Sequence, residues 1–138
     1  MSLQADIERH IALLEQGQIL EAMDQFLADY GVMYANGAVF GEGLHDCMAR
    51  QMPFMQSVTQ LTCTISGLFV DTFSEFCVFK NFVSYSGAEG LPHTVDGLHI
   101  QMWAGGKIAS EWYFSGDNMA DIIAAGILAD PAHILELL

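Results

Sequence analysis

The chain has 138 residues, enough for one sizeable hydrophobic core and too few for two. Apolar residues make up 52% and charged residues 15%, which excludes intrinsic disorder and places much apolar surface in a core, a pocket or a subunit interface. Seventeen acidic residues against four basic ones (Arg9, Arg50, Lys80, Lys107) give a formal charge of −13, which argues against nucleic-acid binding and anionic membrane surfaces.

In chain order, Ile7, Ile11 and Leu14 recur at helical spacing until Gly17 interrupts them. A second stripe, Ile19, Leu20, Met23, Phe26, Leu27 and Tyr30, predicts a helix ended by Gly31. Residues 32–34 predict a short strand closing in the turn pair Asn36-Gly37. A third helix is expected from 42 to about 52, with Pro53 near its end. Four strands follow, over 58–70, 73–85, 95–103 and 107–115, the last two joined by Ala104-Gly105-Gly106. Asp117 or Asn118 caps a helix running to about 128, and Asp130-Pro131 opens a short final helix.

Helices grouped before a run of strands give an α+β fold, and short links force the successive strands to be antiparallel. Residues 1–138 read as one domain. No apolar run reaches the roughly 20 residues of a membrane helix, and the first residues lack the basic-then-apolar pattern of a signal peptide. The three cysteines, Cys47, Cys63 and Cys77, sit in apolar stretches and read as buried free thiols. The expected location is therefore cytoplasmic.

Three stretches carry a resemblance. They are Phe26-Leu27-Ala28-Asp29-Tyr30-Gly31-Val32-Met33-Tyr34-Ala35-Asn36-Gly37, then Gly41-Glu42-Gly43, and then Met102-Trp103-Ala104-Gly105-Gly106-Lys107-Ile108-Ala109-Ser110-Glu111-Trp112-Tyr113-Phe114. With the element order, they make the chain resemble the nuclear transport factor 2-like superfamily, and within it the SnoaL-like branch, relatives of polyketide cyclases and ketosteroid isomerases. The resemblance implies a cone, a strongly bent antiparallel sheet wrapped around the N-terminal helices, with a hydrophobic pocket inside. It also implies a homodimer through the outer sheet face. Among enzymatic members it implies isomerase, cyclase or dehydratase chemistry, mostly without metal or organic cofactor. The chain departs from the pattern in two places. Ala35 or Asn36 stands where the isomerases carry a catalytic Asp, and Ser115-Gly116 stands where many SnoaL-like chains carry an acid.

Side-chain alternation puts His99, Gln101 and Trp103 on one face of their strand. It puts Lys107, Ala109, Glu111, Tyr113 and Ser115 on one face of the next. A three-residue loop would set Trp103 against Lys107, Gln101 against Ala109, and His99 directly opposite Glu111, within hydrogen-bonding reach. The resemblance makes this face the pocket wall, where the isomerases hold an oxyanion-stabilising acid at the position matched by His99. A His–Glu pair in an apolar cavity is a candidate acid/base unit, with Glu111 orienting the ring. Tyr113 and Tyr34 are candidate donors to a developing oxyanion. The same pair could also contact a ligand without chemistry, or merely satisfy itself across the strands.

Met33, Tyr34, Gln101, Trp103 and Ser115 complete the expected pocket. Tyr30 joins them because dehydratase relatives place a Tyr-Asp pair on substrate near Asp29-Tyr30. Read from the residues alone, Asp29 is a surface residue and Tyr30 closes the core stripe. The adjacent His45 and Asp46 point about 100° apart and make no metal site. His10, His93 and His133 stand singly and read as solvated. The bulky strand over 73–85 carries Phe76, Val78 and Phe82 on one side and Cys77, Phe79, Val83 and Tyr85 on the other, and one side suits a partner subunit. Two readings follow. One is a binder of a hydrophobic small molecule, with cofactor-free proton transfer of the isomerase, cyclase or dehydratase type as its candidate chemistry. The other is a non-catalytic association or ligand-binding module.

Overall fold

The computed structural model describes residues 2–136 and 138. Ser2 caps helix α1 (Leu3–Glu15), its side chain accepting from the Ala5 amide, and α1 buries Ile7, His10, Ile11 and Leu14 along one stripe. Helix α2 (Ile19–Phe26) buries Ala22, Met23 and Phe26. The helical stripe predicted to reach Tyr30 stops there, because the backbone from Leu27 pairs with a distant strand. Lys107 Nζ donates to the Gln25 carbonyl at 2.6 Å, satisfying an acceptor the helix end leaves open.

Strand β1 (Leu27–Ala35) therefore absorbs the end of the expected second helix, and Tyr30 stands 68% exposed on it. Gly31 is needed for this approach, since a β-carbon there would lie 2.9 Å from the Ile108 carbonyl oxygen. Asn36 and Gly37, both at positive φ, turn the chain into β2 (Ala38–Glu42), a strand not expected from its sequence. Helix α3 (Leu44–Ser57) runs through Pro53 for another turn. Then come β3 (Thr59–Asp71), β4 (Phe76–Ser86), β5 (Pro92–Ala104) and β6 (Lys107–Ser115). Helices α4 (Gly116–Ala124) and α5 (Pro131–Leu135) close the chain, α4 ending sooner than the expected 128.

The strands form one curved, unclosed sheet in the order β2-β1-β6-β5-β4-β3. All neighbours are antiparallel except β1 and β6, which are parallel. The fold is the α+β cone expected, with helices on both sides of the sheet. On the concave side α1, α2 and α3 pack against Cys77, Phe79, Trp103 and Ile108. On the convex side Met119, Ile127 and Ile134 cover Phe76, Val78, Leu98, Ile100 and Phe114. Each large side chain sealed this way, Phe79 or Ile100 for example, contributes roughly 2–3 kcal/mol.

The β5–β6 hairpin differs in register from the expectation. Gly105 and Gly106, at φ of 58° and 78°, make a two-residue turn that pairs Ala104 with Lys107. A bulge follows, with Ala109 as the extra residue, so that Trp103 pairs with Ile108 but Met102 with Ser110. Gln101 thus faces Glu111, and His99 faces Tyr113 rather than Glu111. The shorter turn and the bulge each shift the pairing by one residue. Two such shifts restore the original face, so His99 and Glu111 remain on the same side of the sheet. At the turn end Ile108, not Lys107, takes the buried place.

Candidate functional site

Beyond the packed end of the cone, the concave face of the sheet and the three N-terminal helices leave a cavity of about 420 Å³. This lies in the range of roughly 300–1,000 Å³ typical of small-molecule sites. Met23, Phe40, Phe54, Val83 and Val95 make much of its wall apolar. Of the residues expected from sequence, Met33, Tyr34, His99, Glu111, Tyr113 and Ser115 line it. Gln101 and Trp103 do not. They share the concave face but are sealed, at 0% and 3% exposure, where the helices pack. Tyr30 lies outside altogether, bordering a separate depression with Asp29 and Lys107.

His99 and Glu111 meet on the diagonal. His99 Nδ1 stands 2.5 Å from Glu111 Oε1, with the side chains 14% and 5% exposed. Burial alone would push the Glu111 carboxyl up. The His99 hydrogen bond and charge, the His10 charge and the Gln101 amide outweigh burial and hold it below the ordinary carboxyl value. Glu111 is therefore the acceptor and His99 Nδ1–H the donor, so that in the neutral ring Nε2 is the nitrogen that carries the lone pair. Asn81 Nδ2 lies 3.4 Å from that nitrogen, a long contact that a ligand can replace.

The ring is fixed from both sides. It stacks on Phe79 with centroids 4.8 Å apart and meets Tyr113 at 5.0 Å. Glu111 is fixed from behind. Gln101 Nε2 donates to its Oε2 at 3.3 Å, while Gln101 Oε1 accepts from Trp103 Nε1 at 3.1 Å and from the Cys77 thiol at 3.3 Å. The buried chain Trp103–Gln101–Glu111–His99–Asn81 thus runs across β4, β5 and β6 and ends at the cavity wall. Burial, and then the charge of Asp96, push the Tyr113 hydroxyl above its ordinary value, so it is a donor at neutral pH.

Asn36, one of the two positions matched to the isomerases' catalytic Asp, has a structural task. Its side-chain amide donates to Ser115 Oγ at 3.2 Å, and its oxygen accepts from the Ser115 amide at 2.8 Å, tying β1 to the end of β6.

The sequence reading missed much of the cavity wall, including Arg50 and Gln51 of α3 and, beside the His99–Glu111 pair, His10 and Asn81. His10, read as solvated, is only 4% exposed and lines the cavity between Phe26 and Trp103, its ring centroid 5.6 and 6.0 Å from theirs. Its place three residues after Ile7 and one before Ile11 puts it on the buried stripe of α1, a signal the periodicity contains. Asn81 alternates with Phe79 and Val83 on the concave face of β4 in the same way. His93 is exposed and pairs with Glu89. His45 and Asp46 do not converge on a cation site. Asp46 accepts from the Glu42 amide and pairs with Arg50. Among the described residues no three His, Cys, Asp or Glu side chains are grouped to hold a metal ion. No described helix is long and apolar enough to cross a membrane.

No family model and no curated protein matches the chain. Solved structures do. A protein named as a SnoaL-like polyketide cyclase from Mesorhizobium loti is similar, with a TM-score of 0.69 at 18% identity, over 82% of this chain and 98% of that one. A nuclear transport factor 2-like protein of unknown function from Burkholderia pseudomallei gives a TM-score of 0.69 at 12% identity, over 90% and 97%. A protein with a ketosteroid isomerase-like fold from Catenulispora acidiphila, solved with trimethylamine, gives 0.64 at 14%, over 78% and 82%. The chain has the nuclear transport factor 2-like fold, with SnoaL-like proteins among its structural neighbours.

Proposed function

We propose that this protein binds an apolar ring molecule in the cone and moves a proton on it, as a cofactor-free isomerase or cyclase does. The observation that carries the reading is the 2.5 Å His99–Glu111 contact at the wall of a largely apolar cavity. In the proposed step, His99 Nε2 takes a proton from the carbon beside a ligand carbonyl, and the C–H electron pair passes to the carbonyl oxygen. The imidazolium formed keeps its Nδ1–H on Glu111, whose charge stabilises it. Tyr113, with Tyr34 as a second candidate, donates to the oxygen that gains charge. Return of the proton at another carbon isomerises the ligand, and attack of the enolate carbon on a second carbonyl closes a ring.

The test needs no knowledge of the natural substrate. Apolar cyclic ketones such as 1-tetralone are incubated with the protein in D2O, and deuterium uptake beside the carbonyl is followed by NMR. Catalysed uptake that falls about a hundredfold or more in His99→Ala supports the reading. No catalysed uptake across the panel, or uptake unchanged in His99→Ala, defeats it.

A second reading has its own observation. Helix α4 packs on β5 and β6, and Phe69 of β3 and Phe82 of β4 stay 45% and 46% exposed. This part of the sheet suits a homodimer contact. Sedimentation of Phe82→Asp beside the unaltered protein tests it. A dimer that becomes a monomer supports this contact, and a protein that is monomeric throughout removes it.

A further inference from the structure

Among the described residues, Arg50 is the only lysine or arginine on the cavity wall. Lys107 instead closes the end of α2, and Arg9 pairs with Asp6 on α1. The Arg50 side chain is 60% exposed, which puts it at the mouth, whereas that of Glu111, at 5%, lies deep in the sheet wall. Its direction is set from behind. Arg50 Nε donates to both oxygens of Asp46, one turn earlier on α3, at 3.1 and 3.2 Å. Asp46 in turn accepts from the Glu42 amide at 2.9 Å. This clamp takes the Nε–H alone. The two Nη amino groups have no acceptor among the described residues. Beside this open edge the wall is apolar. Phe54, one turn further along α3, meets Tyr85 edge-on with ring centroids 5.1 Å apart, and Phe40 and Val83 share the wall with them.

We infer that the Nη edge of Arg50 binds the carboxylate of a monoanionic acid whose apolar body fills the cone. The inference rests on the reading that the cavity takes a small molecule, and goes on to name its class and the place of its charged end. A planar fork of two amino groups matches the two oxygens of a carboxylate. Deep in the cone the same carboxylate would lose its hydration and stand against the charge of Glu111. At the mouth it keeps water on one side and meets the arginine on the other. The acid end therefore points outward and the apolar body inward, towards the sheet wall that carries His99. A dianion such as a phosphate monoester fits less well, because Asp46 holds the same guanidinium and the chain bears a formal charge of −13.

The test uses the full chain and two fluorescent probes of one shape, 4-(2-naphthyl)butanoate and its primary amide. Titration at pH 7 is expected to find the acid bound about fivefold or more tightly than the amide. In Arg50→Gln, which keeps a polar N–H group but no charge, the acid is expected to lose that margin while the amide still binds. Comparing the two probes within each protein cancels any general change in the cavity, so a merely structural effect of the substitution leaves the margin in place. An acid bound no more tightly than the amide in the unaltered protein, a margin that survives Arg50→Gln, or binding of neither probe each overturns the inference. A margin that depends on Arg50 without any deuterium uptake by the cyclic ketones leaves the anchor standing and removes the proton-transfer reading. Uptake lost in His99→Ala, with acid and amide bound alike, does the reverse.

Discussion

Gln101 and Glu111 stand directly opposite each other across β5 and β6, and both are buried. This pairing gives Glu111 a neutral partner straight across and leaves its second oxygen for His99 on the diagonal, at 2.5 Å. A carboxylate with one oxygen on an amide and one on an imidazole has little freedom to rotate. The amide is itself held by Trp103 and Cys77, so the orientation of the candidate base is set three side chains away from the cavity.

Gln101→Leu should expose that dependence. The Trp103 N–H and one Glu111 oxygen lose their partner together, in a place water does not reach. We expect a loss of about 1–3 kcal/mol in urea unfolding. We also expect a fall in any His99-dependent proton exchange, since Glu111 is freed to turn. A variant as stable and active as the parent would show that the amide chain holds nothing.

Acid should weaken the fold through two groups with the same sign. His10 is lowered in the folded protein, so below its ordinary value the unfolded chain binds a proton that the folded chain refuses. Stability then falls as pH drops from about 6.5 to about 4, by on the order of 3 kcal/mol. Glu111 is also lowered. Its contribution is complete above the ordinary carboxyl value and is lost as pH falls through the lowered one. Urea midpoints measured from pH 7 to pH 4 should therefore decline less steeply in His10→Leu. Equal slopes in the two proteins would contradict the burial of a neutral His10.

Gly97 seats Tyr113. A β-carbon at Gly97 would overlap the Tyr113 ring and hydroxyl, although the Gly97 backbone itself is not in the left-handed region. Gly97→Ala should cost about 1–3 kcal/mol by overpacking, and the same substitution in a Tyr113→Ala background should cost much less. Additive costs would mean that the ring does not depend on the glycine.

The cysteines should be inert until the fold opens. Burial pushes Cys77 up to about 12 and raises Cys47 and Cys63 in the same direction. All three are free and buried, so a disulfide reagent at neutral pH should label the native protein slowly and take three equivalents in urea. Rapid native labelling would show an opening of the core.

Much of the architecture could be read from periodicity. The alternation of β3 to β6 and the stripe of α1 are strong signals because one face of each is buried. The His99–Glu111 contact was anticipated on a register that does not occur. Two glycines at positive φ shortened the turn, and a bulge at Ala109, which no residue type announces, added the second shift. Tyr30 was misplaced because Phe26, Leu27 and Tyr30 continue a helical period by coincidence. The partner that draws Leu27 into a strand lies about eighty residues away at Ile108. His10 was legible on the α1 stripe but was passed over because a histidine is polar. Whether an imidazole faces solvent or the core depends on what packs over it, here Phe26 and Trp103.

The parallel pairing of β1 with β6 also orders the events of synthesis. His10, Met33 and Tyr34 leave the ribosome early, and His99, Glu111 and Tyr113 leave it late. Until Lys107–Ser115 has emerged, β1 lacks its inner neighbour, α2 lacks the lysine at its C-terminal end, and the cavity lacks a wall. A nascent chain halted before β6 therefore contains α1, α2 and α3, the β1–β2 hairpin and strands β3 to β5, but its cavity lacks the strand that carries Glu111, Tyr113 and Ser115. The binding site and the completed sheet come into being in the same closure of a long loop.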